Sequence, residues 1–204
     1  MAGADEARRQ REQLERYLAW VTEEGGQEGP THLATWFKPH QQARLRWLKS
    51  HCAGTVAELG CNWGYALAYC GGHIGVDWNP RTIALARILN PAAEFIEADI
   101  RHLPFPNGHV DTVLACDVLE HLPWADIPGM VQELKRVARR RVLITMPNGD
   151  HDTEEANSMK HQFLLTGDRQ QELRQMFKPG WIVNSQTSQH FFSLMAWPSW
   201  RARR

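Results

Sequence analysis

Four carboxylates in this chain each sit in or just beyond a short apolar run, a placement that suits them to hold hydroxyl and amino groups of a ligand. Residues 56–59 carry Glu58 and lead into Gly60-Cys61-Asn62-Trp63-Gly64. Residues 73–76 end in Asp77, 94–98 in Asp99-Ile100, and 110–116 in Asp117. Acids at the carboxyl ends of parallel strands converge on one cleft, and an acid at the tip of the second strand is where nucleotide-binding α/β folds hold ribose hydroxyls. Asp77 lies 17 residues beyond Gly60 and fits that role, with Trp78 beside it. Gly60 and Gly64 bracket a strand-to-helix turn in which a missing Cβ lets a ligand approach the backbone. Asn62, between them, is among the few non-glycine residues that accept positive φ. A glycine pair by itself is equally the mark of a plain turn. A dinucleotide fingerprint would need its third glycine at position 65, which is Tyr65.

These residues need elements to position them. The runs at 56–59, 73–76, 94–98, 110–116 and 141–146 read as strands, and the helical stretches between them imply a doubly wound parallel sheet with right-handed crossovers. Asn79-Pro80 is a helix start, Asn as cap and Pro at the first position, and Asn90-Pro91 stops that helix. Met130, Val131, Leu134 and Val137 repeat at helical spacing over 127–137. A further helix starts near Thr166, and residues 181–188 and 190–196 read as a closing pair of strands. Upstream, 5–24 and 31–50 read as helices joined by the Gly-rich stretch 25–30. The expected division is a helical cap or lid over 1–50 and a ligand-binding domain over 51–204.

With its motifs in this order, the stretch from Thr55 to Met146 resembles the class I S-adenosylmethionine-dependent methyltransferases, close to the small-molecule, quinone-biosynthesis type. The family's first motif, acid-x-Gly-x-Gly-x-Gly, stands here as Glu58-x-Gly60-x-Asn62-x-Gly64, with the middle glycine replaced. The resemblance implies an α/β Rossmann-like fold: a seven-stranded, mostly parallel sheet with an antiparallel C-terminal hairpin and an N-terminal helical cap. It also implies that Glu58, Gly60, Cys61, Asn62 and Gly64 form the loop beside the methionine portion of S-adenosyl-L-methionine. Asp77 and Trp78 would serve the ribose edge, Asp99 and Ile100 would flank the adenine, and Asp117 would lie at the methionine end. A strand-tip acid is expected to be exposed without its ligand, so Asp77 should matter for binding and little for folding.

Methyl transfer from a sulfonium is an in-line displacement, so alignment supplies much of the acceleration. A hydroxyl acceptor also needs a base, most often His. His121, in the stretch Leu119-Glu120-His121-Leu122, and His161, in the long polar segment 150–165, are the candidates; His151 ranks below them. Packing or plain loop roles are the ordinary readings of all three. Asp150, His151, Asp152, Glu154 and Glu155 lack any ligand spacing that fixes a geometry, so no metal is expected. The segments 31–50, with Trp36, and 150–165 are expected to close together over the cofactor and acceptor.

Composition narrows the partners. Lys plus Arg and Asp plus Glu number 23 each in 204 residues, which leaves no global charge for nucleic acid or anionic lipid. The Asn/Asp-Pro-Pro-Tyr/Phe element of amino-methylating nucleic-acid enzymes is absent: Asp117-Val118-Leu119-Glu120 follows the fourth strand. No apolar run reaches membrane-spanning length, and the charged N-terminus lacks a secretory core, so a cytoplasmic location is expected. Cys52, Cys61, Cys70 and Cys116 form no Cys-x-x-Cys pair and read as buried thiols. The expected activity is methylation of a small molecule. Its rivals are a catalytically silent cofactor-binding scaffold and a protein or nucleic-acid methyltransferase.

Overall fold

A computed structural model of the chain describes residues 38–148, 162, 165–188 and 191–199, together with residues 8, 12 and 15. Its elements follow the order α1 (Pro39–His51), β1 (Val56–Leu59), α2 (Tyr65–Cys70), β2 (Ile74–Asp77), α3 (Pro80–Leu89), β3 (Glu94–Glu97) and β4 (Val110–Cys116). They continue with α4 (Ile127–Val137), β5 (Ala138–Pro147), α5 (Gly167–Met176), β6 (Trp181–Thr187) and β7 (Phe191–Pro198). The expected helix over 5–24 and the hinge at 25–30 lie outside the described residues, apart from residues 8, 12 and 15.

The seven strands form one sheet in the order β3-β2-β1-β4-β5-β7-β6. β1 to β5 pair in parallel, and β7 runs antiparallel to both β5 and β6. Chain order reverses between β1 and β4, the kind of switch point at which open α/β sheets open a crevice for ligands. β7 begins where β5 ends, since Phe191 pairs with Pro147, so Phe191 stands on the same rim as the carboxyl ends of the parallel strands.

Alternation along the central strands sorts residues between two cores. Ala57, Leu59, Val113, Ala115, Val142 and Ile144 face α4 and α5, with Met130, Leu134, Leu173 and Phe177 buried against them. Val56, Leu114, Cys116 and Leu143 belong to the other core, with Leu45 and Leu48 of α1 and Ala66 and Cys70 of α2. Glu58, between Ala57 and Leu59, therefore points to the α1 and α2 side, where it is only 2% exposed. The two fully buried leucines make α1 part of the core. The division expected at residues 50 and 51 falls within this helix.

Local grammar held where it was specific. Asn79 caps α3 by accepting from the Arg81 N–H at 3.0 Å. β5 starts at Ala138, three residues before the expected Arg141, because Ala138 already pairs with Val110 of β4.

Candidate active site

The turn after β1 is held in a shape that side chains rarely adopt. Gly60, Asn62 and Gly64 have φ of +69°, +48° and +79°. A Cβ on Gly60 would stand 2.2 Å from Val118 Cγ2, and one on Gly64 would stand 2.9 Å from Phe95 Cζ. Both Gly60 N–H and Cys61 N–H donate to the Val76 carbonyl, at 2.8 and 3.0 Å, which ties the turn to the end of β2.

Asp77 completes that tie. Its Oδ2 accepts from the Asn62 N–H at 2.8 Å and its Oδ1 from the Asn79 N–H at 3.0 Å. The expectation of an exposed strand-tip acid is overturned, because Asp77 is 8% exposed. At the end of the neighbouring strand, it takes the Asn62 N–H, a turn N–H that the Val76 carbonyl does not accept. Trp78, next in the chain, is by contrast 67% exposed.

Two buried acceptors in this region are left open. Among the described residues, Glu58 Oε2 and Asn62 Oδ1 have no hydrogen-bond partner. Burial pushes the Glu58 carboxyl up to about 8, against the opposing pull of the Leu67 N–H and of Arg44. Orphaned buried polar groups are costly and uncommon in native folds, and an absent ligand is one standard explanation for them. The glycine cradle and these open groups fit a cofactor that brings its own donors.

At the ends of β4 and β5 the construction differs. Asp117 has φ of +50°, its N–H donates to the Thr145 carbonyl at 2.9 Å, and its Oδ1 accepts weakly from the Thr145 hydroxyl at 3.4 Å. Its Oδ2 is ion-paired with Arg44 Nη1, which α1 delivers from 73 residues away. Arg44 is 3% exposed and lies over the Phe191 ring, 4.9 Å from its centroid. Burial works against the Arg44 charge, but Asp117, with Cys116 and Glu120, holds its pKa above the usual arginine value. His40, one turn earlier in α1, contacts the same Phe191 ring at 5.7 Å. Arg44 and His40 were missed in the sequence. The available signal was a basic residue at an otherwise buried position, since Arg44 precedes Leu45 and is followed at helical spacing by Leu48.

The remaining candidates are dispersed. Both Asp99 oxygens accept from Arg101 Nε at 3.1 Å, and Oδ2 also from Nη2 at 2.8 Å. These bonds to Arg101 hold the Asp99 carboxyl below the usual range, and Arg101 also reaches Asp126 at 3.1 Å. Ile100 is buried in the α4 and α5 core. His121 ends a 3-10 turn, Leu119–His121, that follows Asp117, and is half-buried. Trp36, His151 and His161 lie outside the described residues. Among those described, no group of three or more His, Cys, Asp or Glu could hold a metal ion. No described helix is long and apolar enough to cross a membrane.

Comparison with known proteins agrees with this architecture. The family described as a methyltransferase domain matches residues 57–145. A probable S-adenosylmethionine-dependent methyltransferase of Mycobacterium tuberculosis is 34% identical over 119 residues, which is 55% of this chain and 43% of the relative. The chain thus spans less than half the length of that relative. The magnesium protoporphyrin IX methyltransferase of Synechocystis, solved with its demethylated cofactor, superimposes with a TM-score of 0.62 at 18% identity. That match covers 91% of this chain and 94% of the other. A small RNA methyltransferase superimposes with a TM-score of 0.66 at 17% identity, over 80% of this chain and 26% of the other. Residues 57–145 thus match a methyltransferase domain, and the seven strands in this order with the glycine-bracketed turn have the Rossmann-like fold of the class I S-adenosylmethionine-dependent methyltransferases.

Proposed function

We propose that this chain transfers a methyl group from S-adenosyl-L-methionine to a small molecule. One observation supports the reading: opposite charges stand along the strand-end rim, as an amino-acid zwitterion joined to a nucleoside would require. Arg44, buried, and Asp117, half-buried, form a cation and anion at one end of the rim, and Asp77 stands at the other. In this reading Arg44 receives the cofactor's carboxylate, Asp117 and Glu58 its ammonium, and Asp77 the ribose hydroxyls. Asn62, Gly60, Cys61 and Gly64 carry the backbone along it. Trp78 offers its exposed face to the ribose and adenine edge, and Asp99 and Ile100 bound the adenine.

When bound, the cofactor supplies an electrophilic methyl on a sulfonium, whose thioether departs without an acid. The work left to the chain is to orient the acceptor, exclude water and take its proton. Phe191 at the start of β7, with His40 and Arg44 of α1 against its ring, stands beside the β4 and β5 ends. In this reading His121, in the turn that follows Asp117, takes the proton of a hydroxyl acceptor, and His161 is the second candidate. Equal numbers of acidic and basic residues favour a small acceptor over a polyanion, and no helix among the described residues spans a membrane, in keeping with a cytoplasmic location.

Calorimetry with S-adenosylmethionine, its demethylated product and NAD tests the cofactor; binding of NAD alone would end this reading. Methylation assays against small hydroxyl, amine and carbon acceptors, with RNA and a protein mixture as further arms, test the acceptor. Turnover only on RNA or protein would overturn the small-molecule assignment, and tight binding without turnover on any arm would support the silent-scaffold reading.

A further inference from the structure

The first turn of α1 carries a buried oxygen that nothing around it satisfies. Gln41 Oε1 has no hydrogen-bond partner among the described residues. Gln41 stands on the face of α1 that meets the core, since Gln41, Arg44, Leu45 and Leu48 fall at i, i+3, i+4 and i+7. The other three residues of that face are buried, and Gln41 is half-buried. Each of those three has its place. Leu45 and Leu48 pack with α2 and the sheet, and Arg44 is ion-paired with Asp117.

The direction of α1 places the open amide. The helix begins beside Phe191, whose ring His40 contacts at 5.7 Å, and ends beside Arg141, which donates to the His51 carbonyl at 2.6 Å. Phe191 pairs with Pro147 at the carboxyl end of β5, and Arg141 lies nearer the start of that strand. α1 therefore descends from the strand-end rim. Gln41 is one turn closer to the open side than Arg44, about 4.5 Å along the helix axis. Helical side chains lean toward the N-terminus, which carries the amide farther out over the strand ends. A leucine here would continue the apolar face, whereas an unpaired buried oxygen costs folding free energy. A ligand that brings a donor accounts for it.

On the reading of the chain as a methyltransferase, we propose that Gln41 is a cofactor-binding residue whose amide oxygen accepts a hydrogen bond from the ammonium of S-adenosyl-L-methionine. Two observations single out that group. Gln41 is the helical neighbour of Arg44, which with Asp117 stands at the end of the rim that receives the amino-acid portion. The other open oxygens, Glu58 Oε2 and Asn62 Oδ1, are acceptors as well, so donors are what the cleft lacks. A primary ammonium offers three. α1 then reads the amino-acid end with two side chains one turn apart, Gln41 for the ammonium and Arg44 for the carboxylate.

The test is calorimetry on the full chain with two ligands, the demethylated cofactor and methylthioadenosine, which keeps the nucleoside and sulfur but has no amino-acid end. Gln41→Leu should weaken binding of the demethylated cofactor about 10- to 100-fold, as for loss of a hydrogen bond to a charged group, and leave methylthioadenosine binding unchanged. Gln41→Glu keeps an acceptor oxygen and should retain most of the affinity. The urea midpoint of Gln41→Leu should hold or rise, because no protein partner is lost and an unsatisfied oxygen is removed. Unchanged affinity for the demethylated cofactor, an equal loss for both ligands, or a fallen midpoint would overturn the assignment of Gln41. Failure of the unmodified chain to bind either ligand would instead overturn the cofactor reading itself, and Gln41 with it.

Discussion

The two ends of the strand-end rim reach the same outcome, a polar group held in a buried place, by different routes. At β1 and β2 the chain closes on itself locally. Three residues with positive φ turn the backbone inward; the Gly60 and Cys61 N–H groups donate to the Val76 carbonyl, and Asp77, 15 residues from Asn62, accepts the Asn62 N–H. At β4 and β5 the polar group is an arginine brought in by a helix 73 residues distant, and its charge is sustained by Asp117. The first end depends on backbone shape and tolerates little change in side-chain size. The second depends on two charges that need each other, so loss of either leaves the other stranded.

The largest effect should come from splitting the charge pair. Arg44→Met leaves the half-buried Asp117 without its counter-charge and empties a buried position, and should cost up to about 3–5 kcal/mol of stability in urea unfolding, the upper end being that for a fully buried pair. The double variant Arg44→Met/Asp117→Asn should recover much of that loss while still binding the cofactor poorly. Equal losses in single and double variants would show that the pair is not an energetic unit.

Asp77→Ala comes next. It strips acceptors from two backbone N–H groups, and bonds to a charged group contribute about 1.5–3 kcal/mol each. Both folding stability and cofactor affinity should fall, the first read by urea and the second by calorimetry. Loss of affinity with unaltered stability would restore the picture of an exposed strand-tip acid and weaken the contrast between the two ends.

Gly60→Ala should cost about 1–2 kcal/mol for the left-handed backbone alone, with more from the clash on Val118. Adding Val118→Ala should return the steric part and leave the backbone part. Full recovery in that background would mean that the turn's φ is not the constraint.

The smallest effect per step is the titration of Glu58. Its folded pKa of about 8 lies above the ordinary carboxylate value of about 4.3. Between those limits the folded protein keeps a proton that the unfolded chain has released. Stability therefore falls as pH rises through that window and levels off above it. The slope from one such group is at most about 1.4 kcal/mol per pH unit. Glu58→Gln should flatten it, as measured from urea midpoints between pH 5 and 8. An unchanged slope would assign the pH dependence to other groups.

Much of the first end was legible in the residues. Glycines at 60 and 64, an asparagine between them and an aspartate closing the next apolar run are all local features, because turn geometry is settled by which side chains tolerate positive φ. The boundaries of α3 and α4 followed from caps and helical spacing for the same reason. The burial of Asp77 was not legible, since it follows from parallel pairing of β1 with β2 and not from the strand's own composition.

The sequence by itself determined the alternation of strands and helices, the turn after β1, the acids at the strand ends and the resemblance to a methyl-transferring family. Only the tertiary structure decided which partners those acids take. Asp99 is taken up by Arg101, three strands away from Asp117, which is bound to Arg44. It alone brought Arg44, His40 and Phe191 to one rim. The physical reason is that periodicity reports which face of an element is buried, whereas the partner on that face depends on how elements distant in sequence are packed. An arginine in a helix reads as solvated until the sheet beneath it supplies an aspartate.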